Sequence, residues 1–332
     1  MKKDVFEPSI VSIGGGTGLS TMLRGLKKYT HNLTAVVTVA DDGGGSGMLR
    51  TDLNMPPPGD IRNCILALSE MEPIMNDLLR YRFTEGMLAG QSFGNLFLAA
   101  MTGISDGDFV SAVKQVSNVL KVTGTVYPVT DTDVELVAEL ESGQLILGES
   151  NIGKAVSEYG SRIKYVYLRT KRGKVARLLP EIKEKIKNAD IITLGPGSLY
   201  TSILSALGVN ELVDEICNAN APVVYINNVM TQPGETDGYT AYDHIRAILE
   251  NTCDDFIDYC IVNDKIIDTP LRKRYAEKES DAVILDEKCF ENSSVKLVKR
   301  NLVGLIDNKY IRHNPDALAE TIMDIAYKEK MI

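Results

Sequence analysis

The chain has 332 residues, an ordinary globular composition and a formal net charge of −9, which argues against a general nucleic-acid binder because phosphate backbones select for Lys and Arg. Its five cysteines are scattered without a C-x-x-C pair, which predicts reduced thiols. No apolar run approaches the roughly 20 residues that span a bilayer, and no apolar segment follows the charged N-terminus, so we expect a soluble, cytoplasmic protein without membrane insertion.

The N-terminal stretch predicts a strand, a glycine-rich turn, a helix and a second strand. In order, the segments are an apolar run at 10–13, the turn Gly14–Gly18, an amphipathic run at 19–29, a second apolar run at 35–40 and the turn Asp41–Gly47. The amphipathic run has the helical period. The second apolar run has almost no polar alternation, as expected of a strand covered on both faces.

Four helices without intervening strands are predicted next. An ordered loop at 48–58 precedes them, and Asp60 is predicted as the N-cap of the first helix. The helices are predicted at 61–71, 73–83, 93–101 and 109–120. Because they interrupt the strand–helix alternation, we expect a helical insertion at about 59–121 within a single domain of residues 1–332.

The remaining chain begins with short strands and then repeats the opening pattern. Strands are predicted at 125–129, 134–140, 144–147, 163–168, 190–194, 222–226, 256–262, 282–285 and 295–298, and helices at 180–188, 199–207, 211–219, 242–249 and 315–328. Alternating strands and helices at both ends of the chain predict an α/β fold with a doubly wound, mostly parallel sheet.

Four polar or glycine-rich turns follow apolar strands, at Gly14–Gly18, Asp41–Gly47, Gly195–Ser198 and Asn227–Asp237. In an open parallel sheet such turns lie at the carboxyl ends of the strands, the edge at which these folds bind ligands. We therefore expect the four turns to converge on one site.

The turn Gly14–Gly18 is a candidate phosphate site. Glycines let the backbone approach a bulky anion, and the following helix directs free N–H groups and its positive dipole end at that anion. No Gly-Lys-Ser/Thr follows, so this is not a P-loop. The third glycine position of the dinucleotide fingerprint holds Leu19. The alternative is a tight turn without a ligand.

Asp41 and Asp42 leave several interpretations open. Carboxylates near phosphates usually act through Mg²⁺, one of the pair could serve as a base toward a hydroxyl nucleophile, and a dinucleotide site also needs an acid at this position. The alternative is a turn in which the side chains accept hydrogen bonds from nearby backbone N–H groups.

The turn at Gly195 predicts a second anion site, because Ser198, Thr201 and Ser202 supply hydroxyls beside a helix N-terminus. Simple N-capping by Ser198 is compatible with this role. His244 follows Asp243 on a helix, where adjacent residues point about 100° apart, so a structural histidine is favoured. The histidine spacing argues against a zinc site.

Six motifs together resemble the CofD-like gluconeogenesis factor family, which is similar to 2-phospho-L-lactate transferase. The motifs are Gly14-Gly15-Gly16-Thr17-Gly18, Ala40–Gly47, Pro57–Asn63, Gly94-Asn95-Leu96, Gly195–Ser202 and Asn228–Tyr239. The resemblance covers nearly the whole chain, keeps the motif order, and implies a Rossmann-like sheet with a helical insertion.

The resemblance also implies the residues that bind ligand. They are Gly14, Gly15, Gly16, Thr17, Gly18, Gly43, Gly44, Ser46, Asp60, Arg62, Asn63, Asn95, Gly195, Gly197, Ser198, Leu199, Tyr200, Thr201, Ser202, Asn228, Thr231, Gln232, Glu235, Thr236 and Asp237. In the transferase relatives, the aspartates that match Asp41 and Asp42 face the acceptor and the metal, so these two are the catalytic and Mg²⁺-binding candidates if the chain is a transferase.

The function implied by the resemblance is binding of a nucleotide sugar, UDP-N-acetylglucosamine or UDP-glucose, by a cytoplasmic regulatory protein. This protein would be needed for gluconeogenic growth and for cell shape, through the cell-wall synthesis proteins. We also expect a homo-oligomer, a dimer, and no nucleic-acid partner. The competing hypotheses are an Mg²⁺-dependent transferase of a phosphorus-containing group and, less favoured because of Leu19, an NAD(P)-binding enzyme.

Overall fold

A computed structural model describes residues 6–170, 173, 175–253, 255–306 and 310–331. Its centre is a seven-stranded sheet in which every neighbouring pair of strands is parallel. The strand order is β10-β9-β8-β7-β1-β2-β3. These strands are β1 (Ile10–Gly14), β2 (Leu33–Val37), β3 (Thr125–Pro128), β7 (Ile191–Leu194), β8 (Val223–Ile226), β9 (Tyr259–Asn263) and β10 (Lys296–Arg300).

Two smaller antiparallel sheets accompany it. Strands β4 (Val134–Leu140), β5 (Leu145–Leu147) and β6 (Ile163–Thr170) form one sheet in the order β5-β4-β6, and β11 (Val303–Ile306) pairs with β12 (Tyr310–His313).

The helices of the first half of the chain are α1 (Gly16–Leu26), α2 (Gly44–Leu53), α3 (Gly59–Leu68), α4 (Pro73–Arg80), a 3₁₀ turn (Gly86–Leu88), α5 (Phe93–Ile104), α6 (Phe109–Val119) and α7 (Glu149–Tyr159). The second half contains α8 (Pro180–Lys187), a π-helical turn (Leu199–Leu204) that continues into α9 (Ser205–Leu207), α10 (Leu212–Cys217), α11 (Ala241–Asn251), α12 (Thr269–Ala276), α13 (Glu287–Glu291) and α14 (Pro315–Lys330).

The apolar strands bury both faces, which confirms the predicted doubly wound fold. Along β1, Ile10 contributes to a cluster with α1, α3 and α14, whereas Val11 and Ile13 contribute to a cluster on the other face with α8, α10 and α11. Alternate side chains of a strand point to opposite faces, so a strand packed between two helical layers must be apolar throughout.

The structure differs from the sequence-based expectation in several elements. Residues 48–58, predicted as a loop, include much of α2, which begins at Gly44. Four glycine and serine residues at its start, 44–47, have low intrinsic helix preference, which hid this helix. Residues 282–285 form only isolated bridges, Met230 with Ala282 and Thr240 with Ile284, rather than a strand. Helices α7 and α12 and the β11–β12 hairpin were not predicted.

Among the described residues, no single helix has both the length and the apolar character to cross a membrane. The pair α5 and α6 passes that test only when taken together, and it is bent by 119°.

Candidate functional site

The turns after β1 and β7 touch each other at the carboxyl edge of the sheet. The Gly195 amide donates to the Ile13 carbonyl at 2.8 Å, and a Cβ placed on Gly18 would lie 2.5 Å from the Pro196 carbonyl oxygen. A side chain on Gly15 would likewise meet Asp60 and Thr38. Glycine is therefore required at positions 15 and 18 by close packing of the surrounding chain.

Gly16 has a different role in the same turn. Its φ is +68°, which favours glycine, and a Cβ there would meet no atom within 4 Å. This position consequently faces open space, and it lines two adjacent cavities that also share Ser198 and Ser202.

The larger cavity, about 460 Å³, joins three of the four predicted turns, and we call it the glycine cavity. Its lining comprises Gly15–Gly18, Pro196–Ser198, Ser202, Asn228–Pro233, Tyr275, Lys278, Ser280 and Ile311–His313. The Asn228 amide donates to the Gly197 carbonyl at 2.9 Å and so ties the turn after β8 to the turn after β7.

Two cations at the glycine cavity were not predicted from the sequence. Lys278 and Arg312 are exposed lining residues, and neither forms an ion pair with a carboxylate of the described chain. Lys278 follows α12 and Arg312 lies on β12. No motif or spacing marks them in the sequence, because the fold alone brings this distant segment to the edge of the sheet.

The smaller cavity, about 220 Å³, has three carboxyl groups in its lining, and we call it the acidic cavity. It is lined by Gly16, Thr38, Asp41, Asp60, Glu149, Ser198, Thr201 and Ser202. Burial raises the pKa of Asp41, and the Asp42 carboxylate adds to the rise, while hydrogen bonds from the Gly43 amide and Ser46 oppose it. Burial also raises the pKa of Glu149 to about 7, with further contributions from Asp41 and Asp42.

Asp60 is not the N-cap that the sequence predicted. Helix α3 begins one residue earlier, at Gly59, so Asp60 lies in its first turn. Its side chain accepts a 2.6 Å hydrogen bond from the Gly16 amide instead. Burial and then the Asp41 carboxylate raise the pKa of Asp60 to about 6.

Glu235 lies behind Thr201 rather than in either cavity lining. One carboxyl oxygen is 3.3 Å from the Thr201 hydroxyl and also accepts from the Gln232 side-chain amide, whereas the other is buried with no hydrogen-bond partner among the described residues. Burial raises the pKa of Glu235 to about 8, with a contribution from Glu149. Glu149 was not predicted as a site residue, because it is the first residue of α7 and this helix was not predicted from the sequence.

The carboxyl groups of the acidic cavity fit a hard cation such as Mg²⁺ in their chemistry, since its preferred ligands are oxygens. Within the part of the chain that the structure describes, no three His, Cys, Asp or Glu side chains converge closely enough to hold a metal ion by themselves. A cation bound here would thus take its remaining ligands from water or from substrate phosphates, as Mg²⁺ commonly does.

Asp42, unlike Asp41, does not line the acidic cavity. Its carboxylate accepts a 2.9 Å hydrogen bond from the Ser150 amide in the first turn of α7. Asp41 accepts a 2.9 Å hydrogen bond from the Gly43 amide, the turn geometry considered from the sequence. The two adjacent aspartates therefore have separate environments.

Several residues implied by the resemblance lie outside both linings. They are Gly14, Asp42, Gly43, Gly44, Ser46, Arg62, Asn63, Asn95, Gly195, Leu199, Tyr200, Glu235, Thr236 and Asp237. Arg62 donates to Ser92, to Asn95 at 2.9 Å and to Asn63 at 2.9 Å, which joins α3 to the start of α5. Leu199 and Tyr200 are buried core residues.

The last residues of the Asn228–Asp237 motif shape their own loop. The Thr236 hydroxyl accepts a 2.9 Å hydrogen bond from the backbone N–H of Gln232, and the Asp237 carboxylate accepts a 2.7 Å hydrogen bond from the backbone N–H of Gly234. The earlier part of the motif, including Thr231 and Gln232, lines the glycine cavity.

His244 and His313 are buried and contact backbone carbonyl oxygens, which is typical of a structural role. His244 is fully buried with Nδ1 2.8 Å from the Thr240 carbonyl oxygen, and burial lowers its pKa. His313 lines the glycine cavity, but its Nε2 lies 3.1 Å from the Asn227 carbonyl oxygen. Burial lowers the pKa of His313 to about 4, so it is neutral at pH 7.

Comparison with known proteins supports the resemblance. A family model for 2-phospho-L-lactate transferase CofD matches residues 10–303. The chain is 45% identical over 320 residues to the gluconeogenesis factor of Bacillus subtilis (strain 168), covering 96% of this chain and 98% of that protein. It is 41% identical over 326 residues to the gluconeogenesis factor of Listeria monocytogenes, covering 97% of each.

A solved structure is also similar. The crystal structure of a protein from Bacillus halodurans superposes with a TM-score of 0.91 at 44% sequence identity, covering 96% of this chain and 100% of that one. The predicted family and α/β fold are thereby confirmed. The chain belongs to the CofD family and, within it, to the gluconeogenesis factors.

Proposed function

We propose that the protein is a cytoplasmic regulator that binds a nucleotide sugar, UDP-N-acetylglucosamine or UDP-glucose, in the glycine cavity. The observation that carries this proposal is the meeting of two glycine-rich turns with two cations, Lys278 and Arg312, around one cavity; neither cation forms an ion pair with a carboxylate of the described residues. Backbone N–H groups at a helix N-terminus and basic side chains are the two usual ways to bind a diphosphate.

The cavity offers different surfaces to the parts of such a ligand. The diphosphate would lie against Gly16–Gly18 and Ser198, within reach of the two cations. The Asn228–Gln232 segment supplies amide and hydroxyl groups for the base and ribose, and Tyr275 supplies an aromatic surface.

The regulatory role extends the same proposal. Gluconeogenesis factors are similar to this chain over nearly its full length, and the resemblance implies support of gluconeogenic growth and of cell shape through cell-wall synthesis proteins. We include a homodimeric state in the proposal on the same ground.

A thermal-shift measurement tests the binding proposal. UDP-N-acetylglucosamine should raise the melting temperature of the wild type, and Gly16→Asp should abolish this shift, because it places a carboxylate beside the diphosphate. Gly86→Asp is a matched control: Gly86 also has positive φ, +70°, with open space around it, but lies far along the chain in an exposed 3₁₀ turn. No shift of the wild type with any UDP-sugar would contradict the proposal.

A second candidate function is an Mg²⁺-dependent transferase, which the acidic cavity beside the glycine cavity favours. An acceptor hydroxyl near Asp41 would attack the β-phosphorus of a bound nucleotide sugar. A new P–O bond would form, the bond from that phosphorus to the bridging oxygen would break, and the nucleoside monophosphate would leave. Asp41 would accept the hydroxyl proton, and the metal ion would stabilise the developing charge.

Product release distinguishes the transferase from the regulator. Incubation with UDP-sugar, Mg²⁺ and cell extract should release UMP if the protein is a transferase, and Asp41→Asn should abolish that release without changing the ligand-induced thermal shift. Asp42→Asn should have the smaller effect, because Asp42 bonds to α7. Equal UMP release by wild type and Asp41→Asn would contradict the transferase hypothesis and leave the binding proposal standing.

A further inference from the structure

Two of the five cysteines lie in contact on the surface of the protein. Cys217 is the last residue of α10, and Cys253 lies just beyond the end of α11. Their sulfur atoms are 3.2 Å apart, and both are free thiols. Cys217 is exposed and Cys253 is half-buried, so small oxidants can reach the pair.

The local backbone favours a bond between these two sulfur atoms. A covalent S–S bond is about 2.05 Å long, so the atoms must approach by roughly another 1 Å. Both residues lie at helix ends, where backbone adjustment disrupts few helical hydrogen bonds. We propose that Cys217 and Cys253 form a redox modification site, a dithiol that hydroperoxides convert reversibly into an intramolecular disulfide.

The two sulfurs share one environment. Partial desolvation and the neighbouring Cys253 sulfur raise the pKa of Cys217. Oxidation begins at whichever sulfur first loses its proton, because the thiolate is the nucleophilic form, and the other sulfur lies 3.2 Å away to complete the bond.

The oxidation proceeds in two balanced steps. The sulfur of one cysteine attacks a peroxide oxygen, the O–O bond breaks, and a sulfenic acid and an alcohol (water, for hydrogen peroxide) are formed. The sulfur of the other cysteine then attacks the sulfenic sulfur, the S–O bond breaks, and hydroxide leaves with the proton of the second thiol as water. Two thiols have lost two electrons to the peroxide, and a dithiol reductant reverses the change by thiol–disulfide exchange.

The disulfide would join the segments that lead into β8 and β9. These strands start at Val223 and Tyr259, on the amino edge of the sheet, whereas both cavities lie at the carboxyl edge. The bond would stabilise the fold by restricting the unfolded chain, without altering any cavity lining. This inference is independent of the proposed function.

Thiol counting and peptide mapping on the full chain test the proposal. Treatment with hydrogen peroxide at low molar excess should remove two alkylatable thiols per chain and give one linked peptide pair containing Cys217 and Cys253. The melting temperature should rise by roughly 5 °C, and dithiothreitol should reverse both changes.

Single substitutions provide the controls. Cys217→Ser and Cys253→Ser should each prevent the linked peptide, and the variant that keeps the first-oxidised cysteine should leave a sulfenic acid that dimedone traps. Cys289→Ser is the matched control, because Cys289 is also exposed but has no sulfur neighbour in the described residues; it should oxidise like the wild type. A wild type that retains all its thiols, or that links only between chains, would overturn the proposal.

Discussion

The Gly16 amide donates a 2.6 Å hydrogen bond to the Asp60 carboxylate, 44 residues further along the chain. This bond joins the turn after β1 to the first turn of α3. The bond therefore occupies the backbone N–H of Gly16, which belongs to the turn predicted from the sequence to bind phosphate. If a diphosphate binds in the glycine cavity, the later amides of the turn and the cations Lys278 and Arg312 must carry more of its recognition than Gly16 does.

Two substitutions of Asp60 separate its hydrogen bond from its charge. Asp60→Asn keeps an acceptor for Gly16 and removes the charge. A carboxyl group whose folded-state pKa is raised to about 6 destabilises the fold as pH rises through that value. We expect Asp60→Asn to increase the free energy of unfolding by about 1–3 kcal/mol at pH 8 and to change it little at pH 4.

Asp60→Ala should behave differently, because the Gly16 amide loses its acceptor. We expect a decrease of about 1–3 kcal/mol at pH 4, where Asp60 is uncharged. Urea denaturation at the two pH values measures both variants. Identical behaviour of the Asn and Ala variants would show that the hydrogen bond contributes nothing to stability.

Gly18 provides a second prediction about the same turn. An alanine Cβ would lie 2.5 Å from the Pro196 carbonyl oxygen, and a backbone atom cannot rotate away as a side chain can. We therefore expect Gly18→Ala to lower the free energy of unfolding by about 1–3 kcal/mol. The control is Gly103→Ala in α5, where a Cβ meets nothing within 4 Å.

Gly103→Ala should be neutral or stabilising by up to about 1 kcal/mol, because alanine has the higher helix propensity. Thermal or urea unfolding of both variants gives the comparison. If Gly18→Ala were as stable as Gly103→Ala, glycine at position 18 would have to be explained by ligand binding rather than by packing.

The sequence was most informative where a segment's role is local. The continuous apolar runs predicted the parallel strands, because only a strand covered on both faces lacks polar alternation. Helix α2 was not predicted because its glycine-rich start has low helix propensity. Tertiary packing, which the local sequence does not reveal, supplies most of the stability of such a helix. The site was predictable in its turns, but Lys278, Arg312 and Glu149 were not, because contacts between distant segments leave no periodicity in the sequence.

The buried Glu235 should make the stability of the protein depend on pH. Glu235 is 7% exposed, and burial raises its pKa to about 8. The folded state therefore binds a proton that the unfolded state releases near pH 4.5, so this residue's contribution to the free energy of unfolding declines as pH rises from about 5 through 8. His313, with its lowered pKa, contributes in the opposite direction as pH falls below about 6.5.

Glu235→Gln isolates the contribution of Glu235 from the other groups. The amide mimics the protonated carboxyl, so we expect a gain of about 1 kcal/mol at pH 5.5 and a further gain on the order of 3 kcal/mol by pH 8.5. Glu320→Gln, at an exposed position on α14, should show no such trend. A Glu235→Gln effect that does not vary between these pH values would mean that Glu235 is already charged at pH 5.5.

The cations at the glycine cavity give the most direct prediction about ligand affinity. Arg312→Gln and Lys278→Gln should each weaken binding of UDP-N-acetylglucosamine about tenfold, because a charge-assisted hydrogen bond contributes roughly 1.5–3 kcal/mol and the glutamine amide retains only part of it. The affinity of the wild type should fall with added salt, and the variants should show a weaker salt dependence.

Lys273→Gln is the control, because Lys273 lies on α12 close to Lys278 in the chain but is absent from the cavity lining. Calorimetric titration of all four proteins measures both quantities. Equal affinities for wild type, Arg312→Gln and Lys278→Gln would place the diphosphate away from these cations, and the glycine cavity would then no longer explain the binding of a nucleotide sugar.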